Sequence, residues 1–178
     1  LGDVLIKNST KNKEQKYKLV ESVSNKYGFI NQEEYFEDRI VASKDTSNYY
    51  VIQKGYFAYN PSRINVGSLA YKRDENTSII SPLYISFKAD TRLDDEFLLS
   101  YFFSEQFIKQ MNRSFEGSVR NTLSYDNLVK MDILLPCKAE QQKISSFLVT
   151  LDNKIDLETA LLQQLKLQKQ YLLQQLFI

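Results

Sequence analysis

The sequence predicts an α+β fold: mixed β-sheet and short helices, followed by one long C-terminal coiled-coil helix. Three observations carry that expectation. Short β-branched and aromatic stretches alternate with turns up to about residue 90, without strict strand–helix alternation. From Asp94 the apolar period changes to a helical one. From Glu140 to the end, no Gly or Pro interrupts a heptad pattern. Most of the 12 Tyr and 11 Phe fall before residue 126, which places sheet and core there.

In chain order, YKLVESVS (17–24) alternates well enough for a strand, and NKYGFINQ (25–32) reads as a loop turning at Gly28. NYYVIQKGYFAYN (48–60) offers two short strands around Lys54-Gly55, and GSLAYKR (67–73) a third. TSIISPLYISFKA (77–89) is a further strand, with Pro82 favouring an edge or bulge. Leu98, Tyr101, Phe102, Ile108 and Met111 share a face of one helix ending around Arg113. Asp94 is its cap, with Asp95 and Glu96 in the first turn. FEGSVRNT (115–122) is a polar loop, SYDNLVK (124–130) a short helix and MDILLP (131–136) a last strand.

Ile144, Leu148, Leu151, Ile155, Leu162, Leu165, Leu172 and Leu176 then follow a 4-3-4-3 spacing whose two gaps hold Glu158 and Lys169. Such a seam over about five heptads is the mark of a partnered helix, and the polar gaps would set its register. At about 1.5 Å per residue the helix would span nearly 60 Å. That exceeds the diameter of a head of about 140 residues, so the tail should project and its seam should seek another helix.

Composition removes many functions. The chain has 178 residues, a net charge of +1, one cysteine (Cys137) and no histidine. An intrachain disulfide is impossible, as are Ser-His-Asp, Cys-His and His-ligated zinc chemistry. An intracellular, cytoplasmic setting is expected. No apolar run approaches the roughly 20 residues of a membrane span, and LGDVLIKNST is too short and polar for a signal peptide. The start at Leu1 rather than Met sets the expectation of a piece cut from something longer. Asn60-Pro61-Ser62-Arg63 lacks the Pro and aromatic that follow Asn-Pro in DNA amino-methyltransferases, and no Gly-rich loop precedes it. It reads as a turn. Asp3 with Glu14-Gln15-Lys16 matches a nuclease pattern only at the level of chance. Neither a Walker loop nor a zinc spacing is present, so an enzyme, a cofactor and a metal are not expected.

What remains is local positive charge beside small polar groups. Lys54, Arg63, Lys72 and Arg73 gather around YNPSRINVGSLAYKR, and Lys109, Arg113 and Arg120 bracket the loop that continues into Asn121 and Thr122. Arg takes guanine bidentately, Asn takes adenine, and Lys, Ser and Thr hold phosphate. Acidic residues cluster elsewhere, at Glu33, Glu34, Glu37 and Asp38 and at Asp94, Asp95 and Glu96. A basic, DNA-facing side and an acidic, solvated side would together give a total near zero.

The stretch ILLPCKAEQQKISSFLVTLDNKIDLETALLQQLKLQKQYLLQQLF (133–177) resembles the conserved helix of specificity subunits (HsdS) of type I restriction–modification systems. Pro136, Glu140-Gln141, Ile144, Leu148, Leu151-Asp152, Ile155 and the closing Leu-Leu-Gln-Gln-Leu-Phe carry the likeness. LGDV, GYFAYNPSRINVGSLAY, SPLYISF and EGSVRNTLSYDNL resemble that family's target-recognition domains. The resemblance implies a DNA-reading domain over residues 1–137 and a dimerising, spacing helix over 138–178. It implies non-catalytic recognition of double-stranded DNA on behalf of separate methyltransferase and restriction subunits. In the family, two heads and two antiparallel helices make one subunit. This chain, with one of each, is either the C-terminal half of such a subunit or a natural half-subunit. Alone, it should pair with a second copy and read an inverted repeat. Arg63, Asn65, Lys72, Arg73, Arg120 and Asn121 are the candidate DNA contacts. Arg63, Arg120 and Asn121 would read bases and Lys72 would hold phosphate. A coiled-coil scaffold with no DNA role is the alternative.

Overall fold

The computed structural model describes residues 1–32, 45–115 and 121–177. The acidic cluster at 33–38 and most of the 115–122 loop lie outside the described residues. Two four-stranded sheets form the head. One has the order β1 (Leu5–Lys7), β8 (Ile85–Ala89), β5 (Tyr56–Tyr59), β6 (Leu69–Tyr71), all antiparallel. The other has the order β3 (Gly28–Asn31), β2 (Val20–Ser24), β7 (Ser78–Ile80), β4 (Tyr50–Ile52), with β2 and β7 parallel.

Alternation along β5 shows how the layers form. Phe57 and Tyr59 enter the larger core, where Phe57 stacks on its register partner Phe87 at 5.4 Å. Ala58 faces the opposite way, directly across from Ala70 of β6, and the pair packs with Val23, Ile52 and Ile80 of the second sheet. Two small side chains at that point let the sheets approach closely. The larger core is closed by α1 (Asp95–Phe102), α2 (Glu105–Phe115) and α3 (Tyr125–Leu128).

Several expectations are corrected. TSIISPLYISFKA is two strands, β7 and β8, in different sheets, separated by a turn at Ser81–Tyr84 that contains Pro82. The strands flanking Lys54-Gly55 likewise belong to different sheets. Gly28 turns the chain as expected, at φ 70°, but strand β3 begins there. The helix expected from Asp94 to Arg113 is two. Asp94 caps α1 by accepting from Phe97 N, and Ser104 restarts the helix by accepting from Phe107 N at 3.2 Å. That break lets Phe102 and Phe107, five positions apart, meet edge to face at 5.0 Å. MDILLP is not a strand. Its Asp132 backbone is held by side chains instead: N–H donates to Gln110 Oε1 (2.8 Å), and the carbonyl accepts from Tyr101 OH and Gln110 Nε2 (both 2.9 Å).

The last helix, α4 (Lys138–Leu176), runs 39 residues, about 58 Å at about 1.5 Å per residue. Only Gln141 and Ser145 of it are buried. Gln141 accepts from Asp94 N (2.8 Å) and donates to the carbonyls of Arg92 (3.0 Å) and Pro136 (2.9 Å). Ser145 Oγ donates to Asp94 Oδ1 at 3.0 Å. One buried amide thus joins α4, the cap of α1 and the segment entering α4. Gln141→Ala should leave these backbone groups unpaired, each at a cost of about 1–3 kcal/mol. The expected result is a broadened distribution of spin-label distances between head and helix, while a label pair within the head is unchanged.

Candidate nucleic-acid interface

The turn between β5 and β6 is a preorganised platform. Asn60 Oδ1 accepts from Ser62 N (3.0 Å), and Asn60 N donates to Ser68 O (3.0 Å). A 3-10 turn over Ile64–Val66 buries Ile64 and ends at Gly67, whose φ of 87° no side-chain-bearing residue adopts without strain. The Arg63 carbonyl accepts from both Val66 N and Ser68 N. Its backbone is therefore fixed, while its guanidinium is exposed and makes no ion pair with any described residue. Arg63 borders a cleft of about 230 Å³ that also takes in Ser22, Ser24, Asn25, Asn60 and Tyr84.

The segment after residue 120 docks on this platform. Leu123 N donates to Pro61 O at 2.9 Å, and the buried Tyr59 hydroxyl donates to Leu123 O at 3.1 Å. Burial pushes the Tyr59 phenol well above its ordinary range, so it stays a neutral donor. Exposed Asn121 lies two residues before this anchored Leu123. Asn65 is exposed on the same turn and faces an apolar hollow bounded by Phe102, Phe103 and Met111. Arg120 lies outside the described residues.

Lys72 and Arg73 sit at the far end of the β5–β6 hairpin, since Lys72 N pairs with Tyr56 O. Lys72 does not present a cation to a ligand. Its ammonium is fully buried, 2.7 Å from Glu21 Oε2 and 2.9 Å from Asp74 Oδ2, and Ser78 Oγ donates to the same Glu21 carboxylate. The phosphate role expected of it gives way to a structural one: a charge pair tying β6 of one sheet to β2 and β7 of the other. Arg73 is exposed but bidentate on Glu96, at 3.0 and 2.7 Å. Sequence reasoning passed over Ser22, Ser24 and Asn25, which face Arg63 from β2 and the turn after it. No local pattern marks them, because the cleft is made by sheet packing.

On α4, Ile144, Leu151, Ile155, Leu162, Leu165, Leu172 and Leu176 are 38 to 72 % exposed, and Leu148 is partly so. A regular apolar ridge therefore lies bare along the helix. No helix among the described residues is long and apolar enough to cross a membrane, and none of their His, Cys, Asp or Glu residues group as a metal site.

Comparison with known proteins gives a consistent picture. The family model for the type I restriction modification DNA specificity domain matches residues 1–167. No curated protein matches. Among solved structures, the crystal structure of the HsdS subunit from Thermoanaerobacter tengcongensis superposes with a TM-score of 0.65 at 16 % identity. A second, described as the structural basis underlying complex assembly and conformational transition of the type I R-M system, gives 0.66 at 16 %. Each similarity covers 90 % of this chain and 43 % of the other, so the chain spans less than half the length of the chains it matches.

Proposed function

Because the chain belongs to the type I restriction modification DNA specificity family, we propose that it reads one half of a bipartite double-stranded DNA site. On this reading its head carries the base contacts, and α4 sets their distance from a second head. The observation that carries the reading is an exposed Arg63, in no ion pair with a described residue, on a turn to which the segment following exposed Asn121 is bonded, in a head that leads into a bare helical ridge. Arginine and asparagine are the side chains that read guanine and adenine bidentately. Asn65 would lie at the edge of that contact. Arg120, next to Asn121 in sequence, remains a proposed base contact. Arg73 would add a contact only by releasing Glu96. The chain itself would do no chemistry: separate methyltransferase and restriction subunits would act on the site it selects.

Two copies would pair through Ile144, Leu148, Leu151, Ile155, Leu162, Leu165, Leu172 and Leu176 and present identical heads to an inverted repeat. Selection from a random duplex library tests this. Enrichment of a gapped inverted repeat is expected. No enrichment, with intact pairing, would leave only a coiled-coil scaffold. Once a site is known, Arg63→Ala should weaken its binding by about 1–3 kcal/mol and barely change binding to random duplex. An equal loss on both would make Arg63 a phosphate contact.

A further inference from the structure

The longest described connection in the head, between β1 and β2, is also its most basic. Lys7 to Lys18 holds five lysines and one glutamate, in a chain whose net charge is only +1. The loop is built rather than slack. Buried Asn8 donates through Nδ2 to Val51 O (2.9 Å) and accepts from Thr10 N (3.0 Å). Buried Asn12 donates to Tyr17 O (2.9 Å) and accepts from Tyr17 N (3.1 Å), closing the loop on itself. Its backbone N–H bonds Tyr49 O, and its carbonyl accepts from Gln15 N. Gln15 is held at φ 51°, a left-handed conformation costly for a residue with a side chain.

That scaffold holds its cations outward. Lys13, Lys16 and Lys18 are exposed and make no ion pair with any described residue. Elsewhere in the head Lys54, Lys72, Arg73, Arg92 and Lys109 are each matched by a carboxylate, while Arg63, Lys88, Arg113 and Lys130 make no ion pair with a described residue. Lys13 and Lys16 border an open hollow of about 350 Å³ that also holds Thr10, Gln53 and Tyr56. β2 begins where this loop ends, and its other end supplies Ser22 and Ser24 to the Arg63 cleft. At about 3.3 Å per residue the two features lie about 13 Å apart along one strand. That separation is within reach of a single turn of duplex, with the cleft at the bases and the loop on the backbone.

We infer that the β1–β2 loop is a phosphate-backbone clamp: a rigid, sequence-independent cation site for the sugar–phosphate strand flanking the bases read by the Arg63 turn. The inference rests on the proposed DNA reading. It explains why unmatched lysines gather on a loop that two buried asparagines hold still. Phosphate contacts fix register on the duplex and carry no sequence information, so this role needs charge and rigidity, not base-shaped donors.

The test is a titration of the full chain against its selected duplex and a random duplex over a range of salt. For the triple variant Lys13→Gln, Lys16→Gln, Lys18→Gln, the slope of log affinity against log salt should fall by about two to three, with roughly 10- to 100-fold loss on both duplexes. Their ratio should not move. Glu14→Gln should tighten both, a gain that misfolding does not produce. An unchanged slope in the triple variant, with wild-type reading intact, overturns the clamp and leaves the proposed function standing. A loss confined to the selected duplex also overturns it, by making these lysines base readers. Wild-type chain that ignores every duplex overturns both readings.

Discussion

Leu162→Glu with Leu165→Glu is expected to convert a two-chain assembly into a monomer of 20.8 kDa. The argument begins from the spacing on α4. In an antiparallel pair of identical helices with the two-fold axis between Gln163 and Gln164, Leu162 meets Leu165 of the other copy. Ile155 then meets Leu172, and Leu151 meets Leu176. The two interruptions of the ridge, Glu158 and Lys169, fall opposite each other as well. A single register thus pairs every apolar position from Leu151 to Leu176 and matches the only two charges at seam positions. Each substitution is counted twice by symmetry. Burying a leucine contributes about 1.5–3 kcal/mol, so losing four such burials near the axis weakens association by at least about 6 kcal/mol, more than 10⁴-fold. Sedimentation equilibrium reads the mass directly, and Gln163→Glu, off the seam, should leave it unchanged. Glu158→Lys alone should also weaken pairing, and adding Lys169→Glu should restore it, because the two charges exchange sides. A wild-type chain that stays monomeric at micromolar concentration would sink this register and the spacing role with it. In that register the two Ser145 joints stand about 55 Å apart, at about 1.5 Å per residue.

Glu21→Ala is expected to destabilise the head by about 3 kcal/mol or more. Lys72 is fully buried and Glu21 nearly so, and the carboxylate takes two contacts from the ammonium, at 2.8 and 2.7 Å, and one from Ser78. Removing one partner of a buried pair leaves the other ion without compensation, a loss of about 3–5 kcal/mol. Asp74 remains at 2.9 Å but is half exposed, which puts the expectation at the lower end. For a head of this size that lowers Tm by roughly 10 °C. Replacing both ions, Glu21→Leu with Lys72→Met, should recover much of the loss, because the desolvation cost disappears along with the attraction. Denaturant midpoints for the single and double variants check the result. A single variant within about 1 kcal/mol of wild type would mean that Lys72 escapes to solvent at little cost.

What could be read from the sequence was local. The cap at Asp94, the short strands around Lys54-Gly55 and the heptads of α4 each depend on residues a few positions apart, and periodicity exposes them. The resemblance to type I specificity subunits rested mainly on that last helix, and the family match extends over the head. What could not be read was which segments pair. The split of 77–89 between two sheets is decided by partners in β4 and β5, not by Pro82 alone. Lys72 looked like a surface cation because its partner Glu21 lies in the other sheet. The segment after Asn121 reaches the Arg63 turn through a bond from Leu123 to Pro61 that no spacing rule anticipates. The lysines of the β1–β2 loop were visible as letters, but their lack of carboxylate partners is a property of the folded surface.

The interleaving of the two sheets governs how the head can come into being. In the first sheet β8 must arrive before β1 and β5 are joined, and in the second β7 must arrive before β2 and β4 are joined. Such contacts carry a heavy loop-closure entropy, and high contact order places folding in the slow, millisecond-to-second range. On the ribosome, the second sheet has all its strands once Ile80 is made, whereas β1 waits for β8. Until then β1 and the β8-facing edge of β5 stay open to chaperones.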